Sequence, residues 1–138
     1  MDAFDADVLI YAAAPGHPLG TPVLALFPEE SPNDAGIFAG VGSTLLLPEV
    51  LTKPTRDGTD DEVAAVAALL ARLDLRPVDE AIALLAVALG ASYGLRSADA
   101  VHLATALSAG ADRFITNNRR DFSQSIEEVS VTYPTDLT

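Results

Sequence analysis

Apolar positions fall in two spacings along the chain, short continuous runs and longer stretches that repeat every three or four residues. "MDAF" at the start, Leu45 to Leu47, "LRPVD" from Leu75, "DRFIT" from Asp112 and "EEVSVTYP" from Glu127 are too short for helices and read as strands. Pro134 stops the last of them. A helix is expected from an Asp7 cap, with Val8, Leu9, Tyr11 and Ala12 facing inward. Pro15 to Pro18 form a loop containing His17. "TPVLALFPEE" then predicts a helix with proline at its start, stopped by Pro28, and "SPNDAGIFAGVG" a weaker helix with the same opening. Pro48 opens a helical turn carrying Glu49, just past the strand of Leu45 to Leu47.

After a turn at Asp57 and Gly58, a capping box from Thr59 to Glu62 starts a helix whose stripe is Val63, Val66, Leu70 and Leu73. Asp79 caps "EAIALLAVALG", ended by Gly90, and Ser97 caps "ADAVHLATALSAG", ended by Gly110. Alanine-rich helices between short buried strands favour an α/β/α sandwich around a mainly parallel sheet. In such a sheet ligands bind beyond the carboxyl ends of the strands, which singles out the residues after "MDAF", "STLLL" and "DRFIT".

The 138 residues suit a single domain spanning 1–138. There is no cysteine, which removes disulfides and thiolate metal sites. "AIALLAVALGA" is too short to span a bilayer, so a soluble, cytoplasmic protein with no membrane partner is expected. Twenty acidic residues against eight basic ones give a net charge of -12, which on average repels a phosphate backbone. The positive charge is unevenly spread: Lys53 is the only lysine, and Arg113, Arg119 and Arg120 lie close together. Arg119 and Arg120 are candidates for substrate phosphate, because guanidinium suits bidentate phosphate contacts.

Asp5 follows the first strand, Glu49 a later one, and Asp99 occupies the first turn of the helix capped by Ser97. Three carboxylates can thus converge on one rim, and their repulsion calls for a hard divalent cation such as Mg²⁺ or Mn²⁺. Such a site would hydrolyse phosphodiesters with a metal-activated water. Taken singly, each acid is equally an ordinary turn or first-turn helix residue. Asp5 and Asp7 also make the aspartate pair of haloacid-dehalogenase-like phosphatases, in which Asp5 would attack phosphorus. The single lysine lies too early in the chain for that pattern. His102, three residues after Asp99, reads as a packed, hydrogen-bonded histidine rather than a general base, and His17 as a solvent-facing or partner-contacting one.

"FDADVLIYAA", "LLLPEVLTKP" and "LRSADAVHLATALSAGADRFITNNRRDF" together resemble, in order, the signature blocks of the PIN-domain family, including toxin nucleases of VapC type. The resemblance runs from Phe4 to Phe122. It implies a parallel-sheet α/β/α fold and an acidic centre of Asp5, Glu49 and Asp99 that cuts RNA with Mg²⁺ or Mn²⁺. It further implies an antitoxin partner and a homodimer. Asp7 fills a position where the family often has a small polar residue, and Thr116 is placed to support the site. The family's usual further carboxylate falls near Asn118, so an amide stands there, with Asp121 as the nearest acid. An amide oxygen can ligate a hard cation but brings no full charge. A non-catalytic PIN-like module that binds a protein partner is the alternative from a different class.

Overall fold

The computed structural model describes residues 1–28 and 37–137. Five strands are laid side by side, all parallel: β1 (Asp2–Phe4), β2 (Gly40–Ser43), β3 (Leu73–Arg76), β4 (Arg113–Ile115) and β5 (Ser130–Thr132), in the order β3-β2-β1-β4-β5. Successive side chains of a strand point to opposite faces. Ala3 and Phe114 accordingly join one buried cluster with Val41 and Val131, while Phe4 and Ile115 join another.

Each cluster is closed by its own helices. On the face of Phe4 and Ile115 lie α1 (Ala6–Ala13), α2 (Gly20–Leu24), α3 (Leu46–Asp57) and α4 (Asp60–Leu70), through Val8, Leu9, Val23, Val50 and Val66. On the other face lie α5 (Glu80–Tyr93) and α6 (Ser97–Ser108), through Ile82, Leu89, Ala100 and Leu103. This is the expected α/β/α sandwich. A short 3-10 turn, Pro134–Leu137, follows β5. Among the described residues no single helix is long and apolar enough to cross a membrane.

Several boundaries differ from the sequence reading. The strand assigned to Leu45–Leu47 is instead Gly40–Ser43, fully buried, and Leu46 already opens α3. Glycine depresses strand propensity, yet this pairing needs it: a Cβ on Gly40 would stand 2.3 Å from the Asp2 carbonyl oxygen, and one on Gly42 2.5 Å from a Leu46 methyl. The end of the weak helix expected over 31–42 therefore belongs to the sheet, and 31–36 lie outside the described residues. β3 likewise precedes "LRPVD", and α2 ends at Leu24, before Pro28. α5 runs past Gly90 to a C-cap at Gly94 with φ +67°. Gly90 lies inside the helix, where an added Cβ would make an ordinary 3.7 Å contact with that of Ala100 on α6.

The caps shift too. Asp5, not Asp7, caps α1, and Arg96 rather than Ser97 occupies the N-cap of α6. Thr59 does precede α4, but its hydroxyl donates to Glu62 and to the Pro54 carbonyl instead of accepting a helix N–H.

At Gly20 α2 approaches α1 too closely for any side chain, for a Cβ there would lie 1.9 Å from the Tyr11 carbonyl oxygen. Gly20→Ala has only backbone to push against. It is expected to destabilise the protein by about 1–3 kcal/mol, read as a lower urea midpoint at unchanged slope.

Candidate functional site

The strand order turns back at β1. From there the chain builds outward through β2 and β3, then returns to place β4 and β5 on the opposite side. A crevice opens at such a reversal, beyond the carboxyl ends of the strands. Asp5 and Thr116, the residues that follow β1 and β4, stand at its floor.

Asp5 belongs to strand and helix at once. Its backbone N–H donates to Ile115 O at 2.9 Å, and its carboxylate accepts from Ala6 N–H and from the Thr116 hydroxyl, both at 2.8 Å. Only 5% of the residue is exposed. Burial drives its pKa up, helped by the Glu49 charge and opposed by His102, Thr116 and the Ala6 N–H. Asp7, in the first turn of α1, accepts from Val8 N–H at 2.7 Å and from Asn117 N–H at 3.1 Å, tying the helix start to the segment after β4. Burial, then Asp5, then Asp99 push its carboxyl up to about 7.

Asp99 sits half-buried in the first turn of α6. Its pKa is raised by burial first, then by the charges of Asp5, Asp121 and Glu49, with His102 opposing. Glu49, in the first turn of α3, reaches across from the opposite helical layer, and His102 Nε2 donates to its Oε1 at 2.5 Å. His102 is buried. Burial disfavours the charged ring, but the Glu49 hydrogen bond and the charges of Asp5, Glu49 and Asp99 outweigh it and raise the pKa. The sequence set His102 aside as a packed residue; the structure makes it packed and a partner of the acids. Its spacing from Asp99 was visible, whereas its contact with Glu49, 53 residues away, was not.

The segment after β4 is anchored by Phe122, whose ring is fully buried and whose carbonyl accepts from the Tyr133 hydroxyl at 2.6 Å. Thr116 passes its bond on, accepting from Asn118 N–H at 3.0 Å while donating to Asp5. The Asn118 amide donates to Asp121 Oδ2 at 3.0 Å, and its carbonyl accepts from Asp121 N–H at 3.3 Å. Asn118 therefore orients Asp121, and the charge felt at Asp99 from this segment is that of Asp121. Arg119 points elsewhere, 4.2 Å over the Tyr133 ring and bonded to Thr135. Arg120 is exposed beside it. His17, half-buried, stacks on Tyr11 at 4.5 Å and accepts from Leu19 N–H.

Asp5, Asp7, Glu49, Asp99 and Asp121 are thus coupled electrostatically from four parts of the chain. Their chemistry is that of an oxygen-rich cation site. As the side chains stand, no three acidic or histidine groups among the described residues are gathered closely enough to hold an ion. A hollow of about 780 Å³ between Ile10 and Ala13 of α1 and Asp60, Asp61 and Ala65 of α4 is lined by none of the five acids.

A family model described as "PIN domain" matches residues 3–125. Among solved structures, a toxin–antitoxin complex from Klebsiella pneumoniae is similar with a TM-score of 0.73 and 25% identity, covering 97% of this chain and 98% of that one. VapBC2 from Rickettsia felis, bound to a DNA fragment from its promoter, gives 0.70 at 13% identity over 96% and 97%. VapBC-1 from nontypeable Haemophilus influenzae gives 0.65 at 20% identity over 97% and 98%. The latter two identities speak for the fold alone. No curated protein matches.

The coupled acids make metal-free stability depend on pH. Asp7 titrates near about 7 when folded and near its ordinary 3.8 when unfolded, so over that window the folded state keeps a proton the unfolded state has released. Its stabilising contribution is full below the unfolded value and is lost as pH rises through the folded one. In EDTA the melting temperature is expected to fall between about pH 5 and about pH 8, and less steeply in Asp7→Asn. Superimposable pH profiles for the two proteins would show that Asp7 titrates as an ordinary surface carboxylate.

Proposed function

The chain belongs to the PIN-domain family, and from that premise we propose that it is a metal-dependent endoribonuclease and the toxin of a toxin–antitoxin pair. One observation carries the reading. Carboxylates at the N-cap of α1 and in the first turns of α3 and α6 face one crevice at the reversal of the sheet, where burial first and neighbouring charge second raise the pKa of Asp5 and Asp99. Oxygen donors that destabilise one another's charge fit a hard divalent cation, Mg²⁺ or Mn²⁺. Asp5, Glu49 and Asp99 would hold it, with Asp121 adding charge at the rim in place of the amide of Asn118.

When bound, the ion supplies positive charge that lowers the pKa of a water and stabilises negative charge on the phosphate. The chain's own groups do the positioning. Thr116 and the Ala6 N–H fix the Asp5 carboxylate from two sides, and Asp7 locks α1 to the Asn117 backbone. Arg120 is the phosphate candidate, because Arg119 is engaged with Tyr133 and Thr135. Cation and arginine together offset the field of a chain with net charge -12.

The Klebsiella pneumoniae structure similar to this chain is a toxin–antitoxin complex by its title. We read an antitoxin with a basic segment as this chain's partner, since its acidic surface attracts one. The homodimer reading places the apolar face of α5 in the contact, where Leu84 and Val87 are 63% and 69% exposed. The competing reading, a non-catalytic binding module, draws on the ungathered acids. Membership in this family displaces the haloacid-dehalogenase-like alternative.

Incubation with single-stranded and structured RNAs and Mn²⁺ is expected to give cleavage that Asp5→Asn or Asp99→Asn lowers by about a hundredfold or more, the several kcal/mol a catalytic metal contributes. No cleavage across that panel would sink the nuclease reading and leave the binding module. At the softened position, both Asp121→Asn and Asn118→Ala are expected to weaken Mn²⁺ binding by about tenfold, the low end for outer partners of a metal site. Unchanged affinity in both would remove the pair from the site.

A further inference from the structure

We propose that His102 is a positioning residue that holds the Glu49 carboxylate over the acidic rim. Rotated away from its partner, Glu49 would be an ordinary first-turn helix acid. Its side chain is 32% exposed, long and rotatable, and it comes from α3, on the far side of the sheet from α6. Nothing in its own helix fixes where it points. His102 Nε2–H, donating at 2.5 Å, is the one hydrogen bond that the Glu49 side chain makes among the described residues.

The imidazole is suited to this use and to little else. It lies in the most deeply packed stretch of α6, with Ala100, Leu103, Ala104, Thr105 and Ala106 all buried around it. Its Nδ1 is buried and has no hydrogen-bond partner. A buried histidine kept for structural bonding normally satisfies both nitrogens, because an orphaned polar atom costs stability. Here the ring leaves one nitrogen unsatisfied and spends its only polar contact on Glu49. Asp99 lies three residues earlier on the same helix, which puts it and His102 on one face. α6 therefore sets two acids, Asp99 directly and Glu49 through His102. The bond commits Glu49 Oε1 and leaves Oε2 for an ion.

The inference rests on the metal-dependent nuclease reading, so its test separates the two. Wild type, His102→Leu and His102→Gln are compared in Mn²⁺ titrations followed by electron paramagnetic resonance, with folding checked by circular dichroism. Leucine fills the space without a donor, whereas the glutamine amide restores one at similar reach. His102→Leu is expected to bind Mn²⁺ about tenfold to a hundredfold more weakly. Its RNA cleavage should recover toward wild type at saturating Mn²⁺, and His102→Gln should regain most of the affinity. In a Glu49→Gln background the leucine substitution should add nothing, since the two residues act through one bond.

Mn²⁺ affinity unchanged in His102→Leu, or lowered equally with Glu49→Gln already present, would overturn the positioning role while leaving a metal-binding nuclease standing. Wild type that neither binds Mn²⁺ nor cuts RNA would overturn both. Should His102→Leu fail to fold, imidazole ¹⁵N spectra of the metal-free protein decide the matter. A protected Nε2–H signal in wild type that moves in Glu49→Gln supports the proposal, and a signal indifferent to Glu49 overturns it.

Discussion

The backbone N–H of Asp5 still pairs with Ile115 on β4 while its side chain already caps α1, so strand and helix meet in one residue with no loop between them. That junction fixes a carboxylate at the reversal of the sheet and nearly removes it from water. Thr116 completes its bonding, and Thr116 in turn receives the Asn118 N–H, so the geometry of the segment after β4 is set from the same point. Asp7 fastens α1 to that segment a second time through Asn117. The register of β1 against β4 is what allows all of this, since Phe4 opposite Ile115 brings the two strand ends level.

Around Asp5 the fold collects charge that it does not neutralise by itself. Desolvation and mutual repulsion raise the pKa of Asp5, Asp7 and Asp99, and the His102 ring opposes the rise at Asp5 and Asp99. Basic groups elsewhere are engaged: Arg113 with Asp2, Arg76 with Asp74, Arg119 with Tyr133. A fold stable for its own sake would dilute or pair those carboxylates. Their persistence in one crevice is the physical ground for assigning them a ligand of positive charge.

Much of the architecture was legible because helices announce themselves over many residues. The Val66 and Leu70 positions of α4, the Asp79 cap of α5, and the positions of β1, β4 and β5 all emerged from local pattern, whereas Leu73, read as part of the α4 stripe, opens β3. β2 did not, because "GVGS" carries little strand propensity and owes its place to close approach by Asp2 and Leu46. The end of α5 was misplaced at a glycine as well. Gly90 looks like a stop signal in sequence, while the helix continues to Gly94, whose φ of +67° makes the actual cap. Glycines chosen for packing and glycines chosen for turns are indistinguishable until their neighbours are known.

The order of the acids along the chain nominated Asp5, Glu49 and Asp99, and the resemblance to the PIN-domain blocks marked the amide at Asn118 as a departure. Their spacing relative to strand ends is a local property, and the carboxyl edge of a parallel sheet is where such residues gather. What only the tertiary structure decided is the division of labour among their neighbours. Asn118 turned out to orient Asp121, Arg119 to lie over Tyr133, and His102 to bond Glu49. Each of these depends on side chains brought together from separate elements or turned back on a loop. Periodicity along one helix or strand contains no term for such contacts, and packing across the sheet supplies it.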